Sequence, residues 1–344
     1  MAAERGSAVS APAALRWQCG RMSLDLGRPL IMGILNVTPD SFADGGRYLE
    51  PAAALDHALE LIEEGADIID VGGESTRPGS LAVEAHIECQ RIIPVIERLA
   101  AAAPRVPLSV DTTKLEVMQV ATRAGAVIVN DVRALAAPGA REWAAQARVG
   151  VCLMHMQGEP RTMQIDPRYH EVVAEVAQFL RAARAAAIEA GIAPEAIVLD
   201  PGLGFGKRPE HNLALLKHLD HLIASLDGAP FLIGASRKSL IAQVLGTRDR
   251  AATPGLERPA ASGPAGPPGL AGPPGLASPG GPGGLATPRG SGAARTPTDE
   301  RLYGGLGIAA WAVSRGARIV RTHDVAATRD AVRLVSAVLQ GAVR

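Results

Sequence analysis

The sequence predicts an α/β fold of one kind, a (β/α)8 TIM barrel, on three observations. Short runs rich in Val, Ile and Leu alternate with amphipathic or Ala-rich stretches along the whole chain, the pattern of parallel strands buried on both faces. Eight strand–helix units can be marked out, whereas an open doubly wound sheet usually stops at about five to seven strands and shows a dinucleotide fingerprint early. A polar residue closes or follows every strand, at the end where the loops of a barrel build its active face.

The first strand, 29–36 (PLIMGILN), ends on Asn36, with Asp40 and Asp44 just beyond it. A helix over 51–64 stops at Gly65, and strand 66–73 (ADIIDVGG) leads into Glu74, Thr76 and Arg77. After a helix over 83–102 comes strand 106–112 (VPLSVDT), carrying Asp111. A helix over 114–124 stops at Gly125, and strand 126–131 (AVIVND) ends on Asn130 and Asp131. Strand 149–155 (VGVCLMH) ends on His155, and a helix over 171–190 is followed by Gly191. Glycine suits the left-handed turn that closes a helix C-terminus. Strand 196–200 (AIVLD) ends on Asp200, a helix covers 209–225, and strand 230–235 (PFLIGA) runs into Ser236, Arg237 and Lys238. Strand 317–323 (ARIVRTH) carries Arg321 and His323 before a last helix over 327–340. One polar residue at a strand end is routine, because Asp and Asn suit turns. Eight of eight is not, since the opposite ends carry residues such as Pro29, Ala66, Val106, Ala126 and Ala196.

The chain has 344 residues, 38 of them Gly and 26 Pro, and 12 of the Gly with 11 of the Pro fall within 251–300. Elsewhere both are at ordinary levels. One abnormal insert, bounded at 250–297, thus interrupts the helical leg between strands seven and eight. Gly263, Gly266, Gly269, Gly272 and Gly275 set a collagen-like period that Ser278 breaks, and collagen needs longer runs and three chains. With so few large apolar residues the insert is expected to be disordered. The domain organisation expected is an N-terminal extension over 1–28 and one barrel over 29–342.

Lys and Arg balance Asp and Glu at 35 each, so no basic stripe calls for nucleic acid or an anionic membrane. No apolar run is long enough to span a bilayer, and the first twenty residues lack the apolar stretch of a secretory signal; a cytoplasmic protein is expected. Cys19, Cys89 and Cys152 are odd in number and far apart, unlike a disulfide framework or a Cys-rich metal site. Cys152 is expected in the core.

The strand-end residues suit two parts of one ligand. Arg77, Arg237, Lys238 and Arg321, with His323 nearby, are groups that bind phosphate oxygens. Asp111, Asn130 and Asp200, set deep, suit a flat heterocycle such as a purine or pterin that presents ring N–H groups and acceptors. Asn36 could give one oxygen to a hydrated Mg²⁺ shared with a diphosphate, or could simply form an Asx turn. The glycine-rich run 202–207 is not a Walker A loop, because Pro201 and Arg208 stand where that motif needs Gly and Ser or Thr. Its glycines let the backbone turn sharply over a ligand. His57 and His86 fall on helices and are expected to be solvated, while Met154 and Met156 suit core packing.

The runs MGILNVTPDSFADGG (32–46), GGESTRPGS (72–80), SVDT (109–112), ND (130–131), LMHMQG (153–158), DPGLGFGK (200–207), GASRKS (234–239) and RTHDV (321–325) closely resemble the dihydropteroate synthases. The resemblance spans about 29–340 apart from the insert. It implies a (β/α)8 barrel, usually a homodimer. The reaction it implies joins 4-aminobenzoate to 6-hydroxymethyl-7,8-dihydropterin diphosphate, giving 7,8-dihydropteroate and diphosphate in folate biosynthesis, with sulfonamides as competitors. It places Asp111, Asn130, Asp200 and Lys238 around the pterin, with Met154 and Phe205 near its faces. Thr76, Arg77, Arg321 and His323 match the diphosphate site and Asn36 the Mg²⁺ ligand. Phe42 and Pro78 would line the aminobenzoate, whose carboxylate Ser236 and the helix starting near it would receive. Ala43, Leu203 and Thr322 depart from the usual Ser, Phe and Val without removing a charged or ligand group. The chemistry implied is dissociative substitution, in which Arg77, Arg321, His323 and Mg²⁺ steady the departing diphosphate and Asp111 and Asp200 the cationic methylene. The alternatives are a pterin-binding methyltransferase that serves a corrinoid protein and a catalytically silent pterin-binding paralogue. The methyltransferase would not need the motifs at 236–238 and 321–323.

Deleting 252–296 is expected to leave turnover unchanged, measured against the full chain. Loss of folding or of dimerisation would show that the insert packs on the outer helices.

Overall fold

The computed structural model describes residues 15–38, 51–75, 80, 82–234, 236–251 and 301–341. A short hairpin of β1 (Arg16–Cys19) and β2 (Met22–Asp25) precedes the barrel. The barrel strands are β3 (Leu30–Asn36), β4 (Ile68–Gly72), β5 (Leu108–Asp111), β6 (Ile128–Asp131), β7 (Gly150–Met154), β8 (Ile197–Asp200), β9 (Leu232–Gly234) and β10 (Ile319–Thr322). They form one parallel sheet in the order β8-β7-β6-β5-β4-β3-β10-β9. A parallel bridge between Leu199 and Phe231, with Leu199 N–H donating to the Pro230 carbonyl at 2.9 Å, closes it. Every strand expected from the sequence is present, shortened by no more than two residues at an end.

The helices are α1 (Pro51–Glu63), α2 (Ala85–Ala102), α3 (Leu115–Ala124), α4 (Ala140–Ala147), α5 (Val172–Glu189), α6 (Pro209–Lys217), α7 (Leu219–Ala224), α8 (Ser239–Ala251), α9 (Leu302–Ser314) and α10 (Val325–Gln340). The single helix expected over 209–225 is two, parted at His218, whose φ of −107° leaves the helical region. Gly65, Gly125 and Gly191 all take positive φ after their helices, as their capping role requires. The first two positions of the insert as bounded from sequence, 250 and 251, belong to the end of α8; the rest lies outside the described residues, and the chain is described again from Arg301, just before α9. Among the described residues no helix is long and apolar enough to cross a membrane.

Alternate strand residues face the helices and the barrel axis. The outward set, with Ile69, Val71, Val110, Val129, Val151 and Leu199, packs on the helices as one apolar layer. The inward set is smaller. Met32, Ile68, Ile128, Cys152, Val198 and Ile319 fill the lower barrel together with Trp17, Cys19 and Leu26 from the hairpin region. Residues 16–26 thus form a stopper for the barrel floor. Trp17 is wholly buried and its Nε1 donates to the Ala196 carbonyl at 3.0 Å, while Gly20 N–H donates to the Arg148 carbonyl at 2.9 Å.

Trp17→Ala should cost roughly 3–5 kcal/mol, the usual range for deleting a buried aromatic, read as a lowered urea midpoint. An unchanged midpoint would show that the hairpin does not belong to the core.

Candidate active site

Two residues above the apolar inner layer, the inward positions turn polar. The step from Ile68 to Asp70, Ile128 to Asn130, Val198 to Asp200 and Ile319 to Arg321 keeps the side chain on the barrel axis while moving it to the C-terminal mouth. Cys152 to Met154 makes the same step on β7, and Asp111, opposite Asn130, completes the ring. Asp70, Asp111, Asn130 and Asp200 are all buried.

The ring is knitted around one guanidinium. Arg321 Nε donates to Asp70 Oδ2 and Nη2 to Asp111 Oδ2, each at 2.6 Å. Asn130 Nδ2 donates to the same Asp70 Oδ2 at 2.9 Å. Burial acts against the charge on Arg321, but Asp70 and Asp111 hold its pKa above the ordinary value. Burial pushes the Asp111 carboxyl up to about 7, with Arg321 pulling it down and Asp70 adding to the rise. Asp200 is raised by burial too, although Lys238 opposes it. Burial lowers Lys238 to about 8 against the pull of Asp200. Carboxylates held this dry gain most from a planar ligand that brings its own N–H groups.

The loop after β8 forms the wall beside Asp200. Asp200 Oδ1 accepts from Gly202 N–H at 2.7 Å. Lys238 Nζ donates to the Leu203 carbonyl and lies 4.8 Å from the centre of the Phe205 ring. Beneath the loop, Lys207 Nζ reaches His155 Nδ1 at 2.8 Å and the carbonyls of Gly202 and Phe205 at 2.9 and 3.1 Å. Burial lowers Lys207 to about 7, and burial with Lys207 alongside drives His155 down to about 3, so the imidazole is a neutral acceptor. The glycine expectation holds. Gly202 has φ +67° and a Cβ there would stand 1.9 Å from the His155 carbonyl oxygen; at Gly206, φ +59°, the clash would be with Gln157 O at 2.2 Å.

A second group lies at the rim. Asn36 Nδ2 is 3.4 Å from His323 Nε2, and His323 N–H donates to Ser236 Oγ at 3.2 Å. Ser236 Oγ also donates to Asp324 at 3.3 Å, and Arg237 is ion-paired to Asp324 at 2.6 Å. Ser236 and Arg237 are therefore committed within the rim, and α8 itself begins at Ser239. On the other side, Lys114 Nζ donates to Glu74 and to buried Glu88, and Arg91 donates to the Gly73 carbonyl at 2.7 Å. These contacts anchor the start of the loop that carries Thr76, Arg77 and Pro78. Those three residues, and Phe42, lie outside the described residues.

The structure therefore gathers Asp111, Asn130, Met154, Asp200, Phe205, Lys238 and Arg321 at one mouth, with Asn36, Ser236 and His323 beside it. Sequence reasoning missed Asp70, Lys207 and the Lys114 anchor. A charge in the middle of the apolar run ADIIDVGG was the available signal for Asp70.

The family described as pterin binding enzyme matches residues 32–262. The dihydropteroate synthase of Neisseria meningitidis serogroup B is 44% identical over 323 residues, covering 92% of this chain and 95% of that protein. The chain belongs to the dihydropteroate synthase family. The solved dihydropteroate synthase of Xanthomonas albilineans with 4-aminobenzoic acid has a TM-score of 0.76 at 41% identity, covering 95% of this chain and 98% of that one. The same organism's enzyme in complex with 7,8-dihydropteroate has a TM-score of 0.73 at 40% identity, covering 94% and 98%. As a dihydropteroate synthase the chain is a transferase, and these synthase relatives set aside the corrinoid methyltransferase alternative. Two departures from the usual family residues are benign here: Leu203 is buried, and Thr322 Oγ1 pairs with Thr328 Oγ1 at 3.0 Å.

Gly202→Ala should abolish measurable turnover and cost more than the about 1–2 kcal/mol of a left-handed alanine alone, because the backbone of His155 must also move. Gly228→Ala is the control: φ is +67° there too, with nothing within 4 Å of the added carbon. Equal losses in urea titrations of the two variants would remove the close-approach argument.

Proposed function

We propose that this enzyme joins 4-aminobenzoate to 6-hydroxymethyl-7,8-dihydropterin diphosphate by Mg²⁺-assisted dissociative substitution, as a cytoplasmic homodimer. One observation carries the reading: a dry ring of Asp111, Asn130, Asp200 and Lys238 lies next to the cation Arg321 and a rim that holds Asn36 and His323. The first group suits a flat heterocycle and the second a departing anion.

Asp111 and Asp200 accept ring N–H groups, Asn130 offers a donor and an acceptor, and Lys238 donates to a ring oxygen or nitrogen. The C–O bond to the diphosphate breaks and its electron pair leaves with the diphosphate. Arg321, His323 and, from the loop at 76–79, Arg77 bind the charge that develops. The aryl amine nitrogen then bonds to the methylene carbon and loses a proton to solvent. It attacks as a neutral amine, so no strong general base is needed. Asp111 and Asp200, close to the ring, steady the cation while it lasts.

The donor set fits Mg²⁺ held mainly by substrate. Among the described residues no cluster of three or more His, Cys, Asp and Glu could bind a metal, and Asn36, whose Nδ2 faces His323, keeps its amide oxygen for one bond. A hydrated Mg²⁺ asks for few protein ligands and would supply charge neutralisation at the diphosphate. Because Ser236 is taken up by His323 and Asp324, the aminobenzoate carboxylate goes to the N-terminal turn of α8. Sulfonamides, sharing the aryl amine and an acidic group para to it, compete there. For the homodimer, α9 and α10 expose Tyr303, Trp311, Leu334 and Val338, an apolar face that a second copy would cover.

Diphosphate release should require 4-aminobenzoate as well as the pterin diphosphate, and Arg77→Ala or Arg321→Ala should lower it by at least about a hundredfold, as loss of an oxyanion donor does. Near-normal rates in either variant would overturn the leaving-group assignment, and sedimentation of the same sample as a monomer would remove the dimer.

A further inference from the structure

We propose that Asp70 is a positioning residue for this reaction: fully buried within the ring, it holds Arg321 and Asn130 towards the substrate, and it keeps Arg321 when Asp111 turns to the pterin. The inference rests on the reading in which Asp111 and Asn130 hold the pterin.

Asp70 stands opposite Ile34 and Ser109, whereas Asp111 stands opposite Gly72. Asp70 shares the ring layer with Asn130, Asp200 and Arg321, each two residues beyond Ile68, Ile128, Val198 and Ile319 of the apolar layer, and lies below Asp111. It has no exposure at all, while Asp111 keeps 8%. A ligand entering from the mouth meets Asp111 and not Asp70.

Its contacts are unusual for a buried carboxylate. Oδ2 accepts from Arg321 Nε at 2.6 Å and from Asn130 Nδ2 at 2.9 Å. Oδ1 is buried and has no partner among the described residues. Among the described residues no backbone N–H ties Asp70 to the scaffold, in contrast to Asp131, which accepts from the N–H groups of Arg133 and Leu135. A carboxylate serving the fold alone could be replaced by an apolar side chain of similar volume, and the layer just below is already apolar. What Asp70 supplies is orientation of two side chains that face the substrate.

The geometry divides the work. Arg321 spans two carboxylates, through Nε to Asp70 and through Nη2 to Asp111. Once ring N–H groups occupy the Asp111 oxygens, a guanidinium held by Asp111 alone would swing free. The Nε bond to Asp70 fixes its plane and leaves Nη2 to the substrate. For Asn130, one Nδ2 hydrogen is committed to Asp70, which sets the amide so that its oxygen and remaining hydrogen face the ring.

The test is Asp70→Leu, which has a similar volume and removes the oxygen that Arg321 Nε and Asn130 Nδ2 share, leaving Arg321 paired to Asp111. With 6-hydroxymethylpterin as the calorimetric probe, Kd should rise at least about tenfold, the loss of a hydrogen bond to a charged group. KM for 4-aminobenzoate should change less than twofold and the melting temperature should stay near that of the wild type. A folded variant that binds the pterin as the wild type does overturns the proposal, as does a rise in both constants together. If the variant does not fold, ¹⁵N spectra of Arg321 in the wild type decide. Nε–H should stay protected from exchange as pterin is added, and exposure of Nε–H on binding would refute the role. Wild-type enzyme that fails to bind the pterin would instead refute the underlying assignment.

Discussion

A guanidinium inside a closed barrel has to be matched by carboxylates, and the Arg321 cluster is where this molecule meets that demand. The Arg321 side chain is only 19% exposed, so its charge is held by Asp70 and Asp111 more than by solvent. The remaining strand ends are arranged around this fixed charge. Asn130 is oriented by the same Asp70 oxygen, and Asp111 keeps a raised pKa because burial and a second carboxylate outweigh its bond to the arginine. The ring is thus tense before any ligand arrives, with acceptors in excess and little water to satisfy them.

The loop after β8 solves a related problem with a lysine. Three glycines in five residues would leave a slack wall, and Lys207 tightens it by drawing carbonyls and the neutral His155 around one ammonium. The same loop presents Phe205 and the Leu203 carbonyl to Lys238. Two lysines of opposite duty therefore share one turn. Lys207 is sealed below it and Lys238 stands at the barrel mouth above it, each with its proton affinity lowered by burial.

Much of this was legible in the sequence because a parallel strand buried on both faces writes a compact apolar run and a barrel writes its chemistry at the run's end. Asp111, Asn130, Asp200, Lys238 and Arg321 were all found that way. Asp70 carries no such mark, since it sits in mid-strand. Lys207 reads in sequence as part of a glycine-rich loop, and its partners, the His155 ring and two carbonyls of its own loop, are set by the folded turn. The break at His218 carries no Gly or Pro. The hairpin at 16–25 was missed because each strand has only four residues, with two alternating buried positions in β1 and none fully buried in β2. The motif FADGG and the triplet Thr76, Arg77 and Pro78 were legible as chemistry through their resemblance to the family.

The stopper on the barrel floor has a consequence for how the chain reaches this state. Trp17 is joined to a carbonyl 179 residues further on, and β3 pairs with β10 from the far end of the chain. Floor and seam both wait for late sequence, so neither half of the barrel can be finished alone, and such long-range closures slow folding. Between those late pieces lies the Gly and Pro-rich insert, which lengthens in sequence the connection between β9 and β10. The added length thus falls just before the seam at which the two ends of the barrel meet.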